Sequence, residues 1–225
     1  DILEDLFGID RQYAGLLEYK GDLNLMKAAI ECCERFSTVS PTYANEIATA
    51  RYAHGLQDII CKNKWKLTGI LNGIDVDAYN PETDKALFAN YSADNPEGKK
   101  TCKTELQKML GLPVKDVPVI AMITRLVSHK GLDLVKAVAE DILHEDVQFV
   151  LLGTGDRAYE DYFGDLGHRY EGKMSANIVF NNDLSRKIYS GADIFLMPSV
   201  SESCGLSQMI ASRYASIPVV RETGG

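Results

Sequence analysis

The chain has 225 residues, 45% hydrophobic and 25% charged, enough for one large core or two small ones, which excludes a disordered polymer. Its formal net charge of −8 argues against nucleic acid or an anionic membrane surface as partner, because binding to either draws on excess Lys and Arg. An anionic ligand therefore needs a local basic patch. Five cysteines, Cys32, Cys33, Cys61, Cys102 and Cys204, are odd in number and lack Cys-x-x-Cys spacing, so neither a disulfide framework nor a zinc site is supported. A reducing cytoplasm is the expected location. With no signal-peptide pattern and no apolar run of membrane-spanning length, a soluble protein is expected, and the start at Asp1 without Met reads as a fragment.

In chain order, residues 23–36 place apolar side chains at helical spacing, 37–40 follow as a short strand, and Pro41 suits the first turn of another helix. A short apolar run over 66–71 ends in Asn72-Gly73, and 75–115 is polar, with Asn80-Pro81 and Asn95-Pro96 as turn signals. The expected domain boundary falls there: 1–71 closes a first α/β domain and 72–225 forms a second. Beyond it the alternation is regular, with strand 117–123, helix 131–143, strand 147–152, helix 159–170, strand 177–180, helix 185–190, strand 193–197, helix 205–214 and strand 217–220. Strands alternating with helices predict an α/β fold with a doubly wound, Rossmann-like parallel sheet. The unbroken apolar run FVLL over 149–152 fits a strand covered on both faces.

Ligands of such sheets lie outside the carboxyl ends of the strands, so the residues just after each apolar run are the candidates. After 117–123 come Arg125 and Lys130, a forked guanidinium and a mobile ammonium suited to one diphosphate. After 147–152 comes the tight turn GTGD, with Gly153 and Asp156 at its ends. After 193–197, Glu202 precedes a helix expected to open at Cys204, Gly205 and Leu206. Free N–H groups at such a helix start, with no side chain at Gly205, admit a phosphate, while Glu202 accepts hydrogen bonds from hydroxyls. Phosphate beside polyol points to a nucleotide sugar.

Plainer readings stand beside these. Arg125 and Lys130 also read as solvated loop charges, and Glu202 as a carboxylate favouring a helix start by about 0.3–1 kcal/mol. Cys204 reads as an activated thiol or, with no histidine assigned near it, as a packing residue. GTGD lacks the Gly-x-Gly-x-x-Gly spacing of a dinucleotide site. Asp75-Val76-Asp77 imitates a metal-binding Asp-x-Asp but falls in a turn-rich stretch, so no metal is expected. His54, His129, His144 and His168 are scattered and read as surface residues. No carboxylate pairs with Glu202 at hydrolase spacing, which speaks against a double-displacement glycosidase.

The segments TVSPTYANEI (38–47), LNGIDVDAYNPETD (71–84), TRLVSHKGLDL (124–134), LLGTGD (151–156), KIYSGADIFLMPS (187–199) and ESCGLSQMIASRYASIPVVRETGG (202–225) together resemble the bacterial glycogen and starch synthases. These are retaining glucosyltransferases of the GT-B fold that move glucose from ADP-glucose to the non-reducing end of an α-1,4-glucan. The resemblance implies that Arg125 and Lys130 hold the donor phosphates and Glu202 contacts the glucosyl ring. It places the backbone at Cys204, Gly205 and Leu206 against the distal phosphate, with Thr223 and Gly224 nearby. It further implies a front-face departure of the nucleoside diphosphate, stabilised by Arg125 and Lys130, with the donor ADP-glucose and no separate cofactor.

The family usually carries an aromatic residue and a proline where this chain has Ser201 and Ser203, and more often glutamine at His129. Its Lys-Thr-Gly-Gly turn and its first-domain histidine are absent. The resemblance thus implies a remnant of the first domain plus most of the nucleotide-sugar-binding domain, binding without transfer when alone because the cleft needs both walls. Apolar surface left by the missing part is expected to promote self-association. The functional alternatives are an inactive nucleotide-sugar-binding module, or another GT-B transferase such as a sucrose or trehalose phosphate synthase. A glucan phosphorylase would need a pyridoxal-phosphate lysine motif, and none is apparent.

Overall fold

The protein is described from a computed structural model covering residues 2–225. Its contacts divide the chain into two compact units, Asp1–Asn72 with Gly224–Gly225, and Gly73–Thr223. The first holds α1 (Ala14–Leu17), the antiparallel pair β1 (Glu18–Tyr19) and β2 (Asp22–Leu23), then α2 (Leu25–Cys32), β3 (Phe36–Thr38), α3 (Pro41–Glu46), α4 (Gln57–Lys62) and β4 (Leu67–Gly69). Strands β3 and β4 pair in parallel, Phe36 opposite Leu67. Asn24 accepts from the Lys27 N–H at 2.9 Å and Ser40 from the Tyr43 N–H at 2.8 Å, so side-chain caps fix where α2 and α3 begin. Pro41 sits in the first turn of α3, where its missing N–H costs nothing. Ile30, Ala53, Ile59 and Ile60 form this unit's small core beside an open apolar hollow of about 540 Å³.

The second unit runs α5 (Glu97–Met109), β5 (Val119–Ile123), α6 (Leu132–His144), β6 (Gln148–Leu152), α7 (Arg157–Arg169), β7 (Met174–Asn177), α8 (Asn182–Gly191), β8 (Ile194–Met197), α9 (Ser207–Arg213) and β9 (Ile217–Val220). The five strands are all parallel, in the order β7-β6-β5-β8-β9. The chain enters at β5, steps outward through β6 to β7, then returns to build β8 and β9 on the other side. The order therefore reverses between β5 and β8, which is where doubly wound sheets bind ligands. One face packs Met122, Phe149 and Leu151 against Leu132, Val135 and Ala139 of α6 and Phe163 and Leu166 of α7. The other packs Val119, Ala121, Val150 and Phe195 against Leu106 of α5, Ile188 of α8 and Ile210 of α9. Coverage on both faces is why β6 is buried at all five positions and reads as an unbroken apolar run.

Three expectations are corrected. The polar stretch 75–115 contains the 13-residue helix α5, whose inward stripe of Cys102 and Leu106 is fully buried. Its four lysines and two glutamates outnumber that stripe and hide the period. The strand expected at 177–180 is β7, three residues earlier, in register from Phe149 opposite Met174 to Leu152 opposite Asn177. The apolar Ile178, Val179 and Phe180 lie beyond its end, and Phe180 is 89% exposed. The helix expected at 205 opens at Ser207, with Leu206 as its N-cap residue, so Cys204, Gly205 and Leu206 form a turn ahead of it.

Residues 73–96 are irregular yet anchored. Asp84, its side chain 5% exposed, accepts from Arg186 of α8 at 2.9 Å and from the Tyr214 hydroxyl at 2.5 Å. Burial pushes the Asp84 carboxyl up, but the bonds from Tyr214, the Ala86 N–H and Arg186 outweigh it and hold the group below the usual range. Asp75 accepts from the N–H groups of Asp77 and Ala78, so the Asp-x-Asp look-alike serves to cap a turn. Among the described residues no helix is long and apolar enough to cross a membrane.

Candidate functional site

Backbone alternation places Arg125. Met122 and Leu126 turn into the core, at 1% and 0% exposure, so Ile123 and Arg125 face the opposite side. The extended path past the end of β5 is held by Thr124 N–H to Leu152 C=O at 3.0 Å and Leu126 N–H to Thr154 C=O at 2.8 Å. At Gly153 a Cβ would overlap the Thr124 carbonyl oxygen, and at Gly155 the Leu126 backbone, so both glycines of GTGD serve close strand-to-strand approach. Gly153 lines one of the two compartments at this end of the sheet; Asp156, exposed at the start of α7 with its N–H on Leu126 C=O, lines neither.

Lys130 and Glu202, 72 positions apart, are brought together by a seam between two loops. The His129 carbonyl accepts from the Val200 N–H at 2.9 Å and the Ser201 N–H at 3.4 Å. Gly131, at φ +75°, lies so close to Pro198 that a Cβ would overlap its carbonyl oxygen. Across this seam the Lys130 ammonium donates to Glu202 Oε2 at 2.6 Å, with 18% and 13% of the two side chains exposed. The buried Ser199 hydroxyl donates to the same oxygen at 3.0 Å. Burial, then the cations of Lys130 and Arg125, hold the His129 imidazole below its usual range, with Glu202 opposing them.

Two adjoining compartments open at this end of the sheet. One, of about 250 Å³, is lined by Ile123, Thr124, Arg125, Lys130, Met197, Glu202, Gly205, Leu206 and Ser207. The other, of about 260 Å³, shares Ile123, Thr124, Arg125 and Ser207 and adds Leu152, Gly153, Thr154, Val179, Phe180, Asn181, Asn182 and Ser185. The first is cationic with one carboxylate; the second is walled by apolar side chains and rimmed by an exposed aromatic ring. Of the sequence candidates, Arg125, Lys130, Glu202, Gly205 and Leu206 share the first compartment and Gly153 joins at the second. Cys204 is buried, its carbonyl accepting from Gln208 at 2.7 Å. Thr223 lines neither compartment, nor does Gly224, whose N–H donates to Glu46 at 3.1 Å. Sequence reasoning missed Ser199, Ser207 and Phe180. Only Phe180 left a signal, an apolar residue at the end of an expected strand.

A larger hollow of about 690 Å³ lies among Lys99, Lys100, Lys103, Asp116 and Asp193, at the amino ends of the strands. Three of its four lysines are engaged: Lys103 pairs with Asp193 at 2.8 Å, Lys100 with Glu97 at 3.0 Å, and Lys99 donates to the carbonyls of Ser190, Ala192 and Tyr214, with Lys115 as the fourth. The smaller pair of compartments, at the switch point, is the site the fold selects. Among the described residues no cluster of three or more His, Cys, Asp or Glu side chains is placed to hold a metal ion.

An open parallel sheet that reverses its strand order beside a cationic, carboxylate-bearing pocket defines an α/β domain of the nucleotide-binding kind. The chain belongs to the glycosyl transferases group 1, whose family model matches residues 103–225, and a starch synthase catalytic domain model matches residues 1–62. It is 50% identical to the glycogen synthase of Desulforamulus reducens, over 100% of this chain and 47% of that one. It is 55% identical to that of Kosmotoga olearia, over 91% of this chain and 43% of that one. The chain thus spans about half the length of the curated relatives it matches. A structure of the catalytic domain of starch synthase IV from Arabidopsis thaliana, bound to ADP and acarbose, superimposes with a TM-score of 0.90 at 38% identity, covering 97% of this chain and 46% of that one.

Proposed function

We propose that the chain carries the donor-binding half of a retaining GT-B glucosyltransferase, and that the whole protein transfers glucose from ADP-glucose to the non-reducing end of an α-1,4-glucan in glycogen synthesis. The observation that carries this reading is the meeting of Arg125, Lys130 and Glu202 around one pocket at the reversal between β5 and β8. The likeness to glycogen synthases and to a starch synthase structure holding ADP supports the same donor.

In this reading the apolar compartment between Leu152 and Val179 receives the base, with Phe180 offering a stacking face, and Arg125 spans both compartments to reach the phosphates. Arg125 and Lys130 stabilise the charge that grows on the departing diphosphate. Charge-assisted bonds worth about 1.5–3 kcal/mol each make them the larger part of the rate effect where they tighten in the transition state. Glu202 orients the sugar hydroxyls and faces the developing positive charge. The donor brings its own leaving group, so the transfer draws on no resident cofactor or metal. The protein works in the cytoplasm, and the open apolar hollow beside Ile30 and Ile60 favours self-association of this chain at high concentration.

The test is glucose incorporation into glycogen by the whole enzyme offered ADP-glucose, UDP-glucose or GDP-mannose. Preference for ADP-glucose, with loss of turnover of ten-fold or more in Arg125→Ala, agrees with the proposal. Transfer from GDP-mannose alone, or none from any donor, contradicts it.

A further inference from the structure

We infer that the Lys130–Glu202 contact is a built-in competitor for the diphosphate, through which the site holds a nucleotide sugar in preference to the bare nucleoside diphosphate, and that Ser199 is the positioning residue that keeps Glu202 in that role. The inference rests on the donor-site reading and deepens it.

Lys130 does not stand free in the pocket: its ammonium donates to Glu202 Oε2 at 2.6 Å, and both side chains are largely withdrawn from water. The buried Ser199 hydroxyl donates to the same oxygen at 3.0 Å. With two donors on Oε2, the carboxylate is fixed in rotation and Oε1 is the oxygen left for a ligand. Arg125, by contrast, lines the pocket and has no ion-pair partner among the described residues, so it meets a phosphate without giving up a carboxylate. A diphosphate that engages Lys130 must draw the ammonium away from Glu202, leaving a partly buried carboxylate short of one charged donor and close to a second anion. Both consequences are unfavourable.

A ligand that also brings hydroxyls to Glu202 repairs the loss, because the carboxylate exchanges one donor for others. A nucleotide sugar does this and a nucleoside diphosphate does not. Once the sugar has left, Glu202 again competes for Lys130 and weakens the hold on the remaining diphosphate, which favours its release. The seam at His129, Gly131 and Pro198 holds the two loops together, so the competition takes place between side chains over a fixed backbone.

The experiment is calorimetric titration of the chain with inorganic pyrophosphate, ADP and ADP-glucose, for the parent protein, Glu202→Gln and Ser199→Ala. Thermal unfolding of each variant shows that it is folded, and acylation of Lys130 in the unliganded proteins is followed by mass spectrometry. Glutamine keeps the shape and removes the charge, so Glu202→Gln is expected to bind pyrophosphate and ADP roughly ten-fold more tightly, to lose the preference for ADP-glucose over ADP, and to acylate faster at Lys130. Ser199→Ala moves the same quantities in the same direction by about two- to three-fold. Unchanged or weaker ADP binding in a folded Glu202→Gln overturns the inference and leaves the donor site standing. Absence of binding by the parent protein and the variants alike overturns both.

Discussion

Gly131→Ala separates the seam from the pocket it builds. The residue sits at φ +75°, where a non-glycine residue costs about 1–2 kcal/mol through its Cβ alone. The added methyl would also overlap the Pro198 carbonyl oxygen, a backbone atom that no rotamer change can withdraw. The 198–202 loop must retreat by about an ångström to restore ordinary van der Waals separation, and that loop carries Ser199 and Glu202. A control is available in Gly111→Ala: its φ of +69° imposes the same left-handed cost, but nothing lies within 4 Å of its Cβ. Chemical denaturation is expected to show Gly111→Ala less stable by about 1–2 kcal/mol, with ADP affinity unchanged. Gly131→Ala is expected to lose about 1–3 kcal/mol more. Its preference for ADP-glucose over ADP should shrink, and turnover of the whole enzyme should fall by about a hundred-fold, the effect of an ångström's misplacement of a positioned group. Equal stability and equal ligand preference in the two variants would refute the claim that the Gly131–Pro198 contact sets the position of Glu202.

Asp84→Asn keeps the shape of the link between Arg186 and Tyr214 but removes its charge, and should cost about 1.5–3 kcal/mol at neutral pH by urea unfolding. Because the Asp84 carboxyl is held below its ordinary value of 3.8, its contribution is complete above that pH and is lost as pH falls toward the depressed folded value, so the variant should show a shallower acid transition than the parent. Burial first, against the attraction of Asp193, pulls the Lys99 ammonium from 10.5 down to about 8. Between those values the unfolded chain holds a proton that the folded chain lacks, so stability should rise with pH from about 8 until the tyrosines begin to titrate, and this rise should vanish in Lys99→Met. Phe180→Ala removes a ring that is 89% exposed, so the unfolding midpoint should not move. Its ADP affinity should fall by about 1–3 kcal/mol while pyrophosphate binding is retained; equal weakening of both ligands would place the ring elsewhere than under a base.

The legible part of the sequence is the part governed by burial. Strands β5, β6 and β8 lie close to where their apolar runs put them, because a strand covered by helices on both faces leaves an unbroken apolar signature, whereas β9, with Ile217, Val219 and Val220 exposed, was legible from its apolar residues without being buried. Helix α5 escaped because only one narrow stripe, Cys102 and Leu106, reaches the core, and its lysines dominate the composition. Ile178, Val179 and Phe180 misled in the opposite direction: local apolarity reads as a strand, yet Val179 and Phe180 border a pocket at the sheet's open end. At the site, Arg125, Lys130 and Glu202 were visible as residue types placed just after strands. Their meeting was not, since it depends on the His129 carbonyl and the Gly131–Pro198 approach, contacts that span about seventy positions and leave no period, and on the buried Ser199, three positions before Glu202, whose hydroxyl holds that carboxylate. Likewise Asp84 reads as one turn residue among several until Tyr214, 130 positions on, is seen to meet it.

The measurement closest to the central claim is titration of this chain with ADP, the parent protein against Arg125→Ala, with thermal unfolding to show that the variant is folded. Arg125 borders both compartments and has no ion-pair partner among the described residues. ADP binding by the parent, weakened ten-fold or more in a folded Arg125→Ala, is the predicted result. ADP binding that survives Arg125→Ala undiminished would contradict the assignment of this pocket as the donor site.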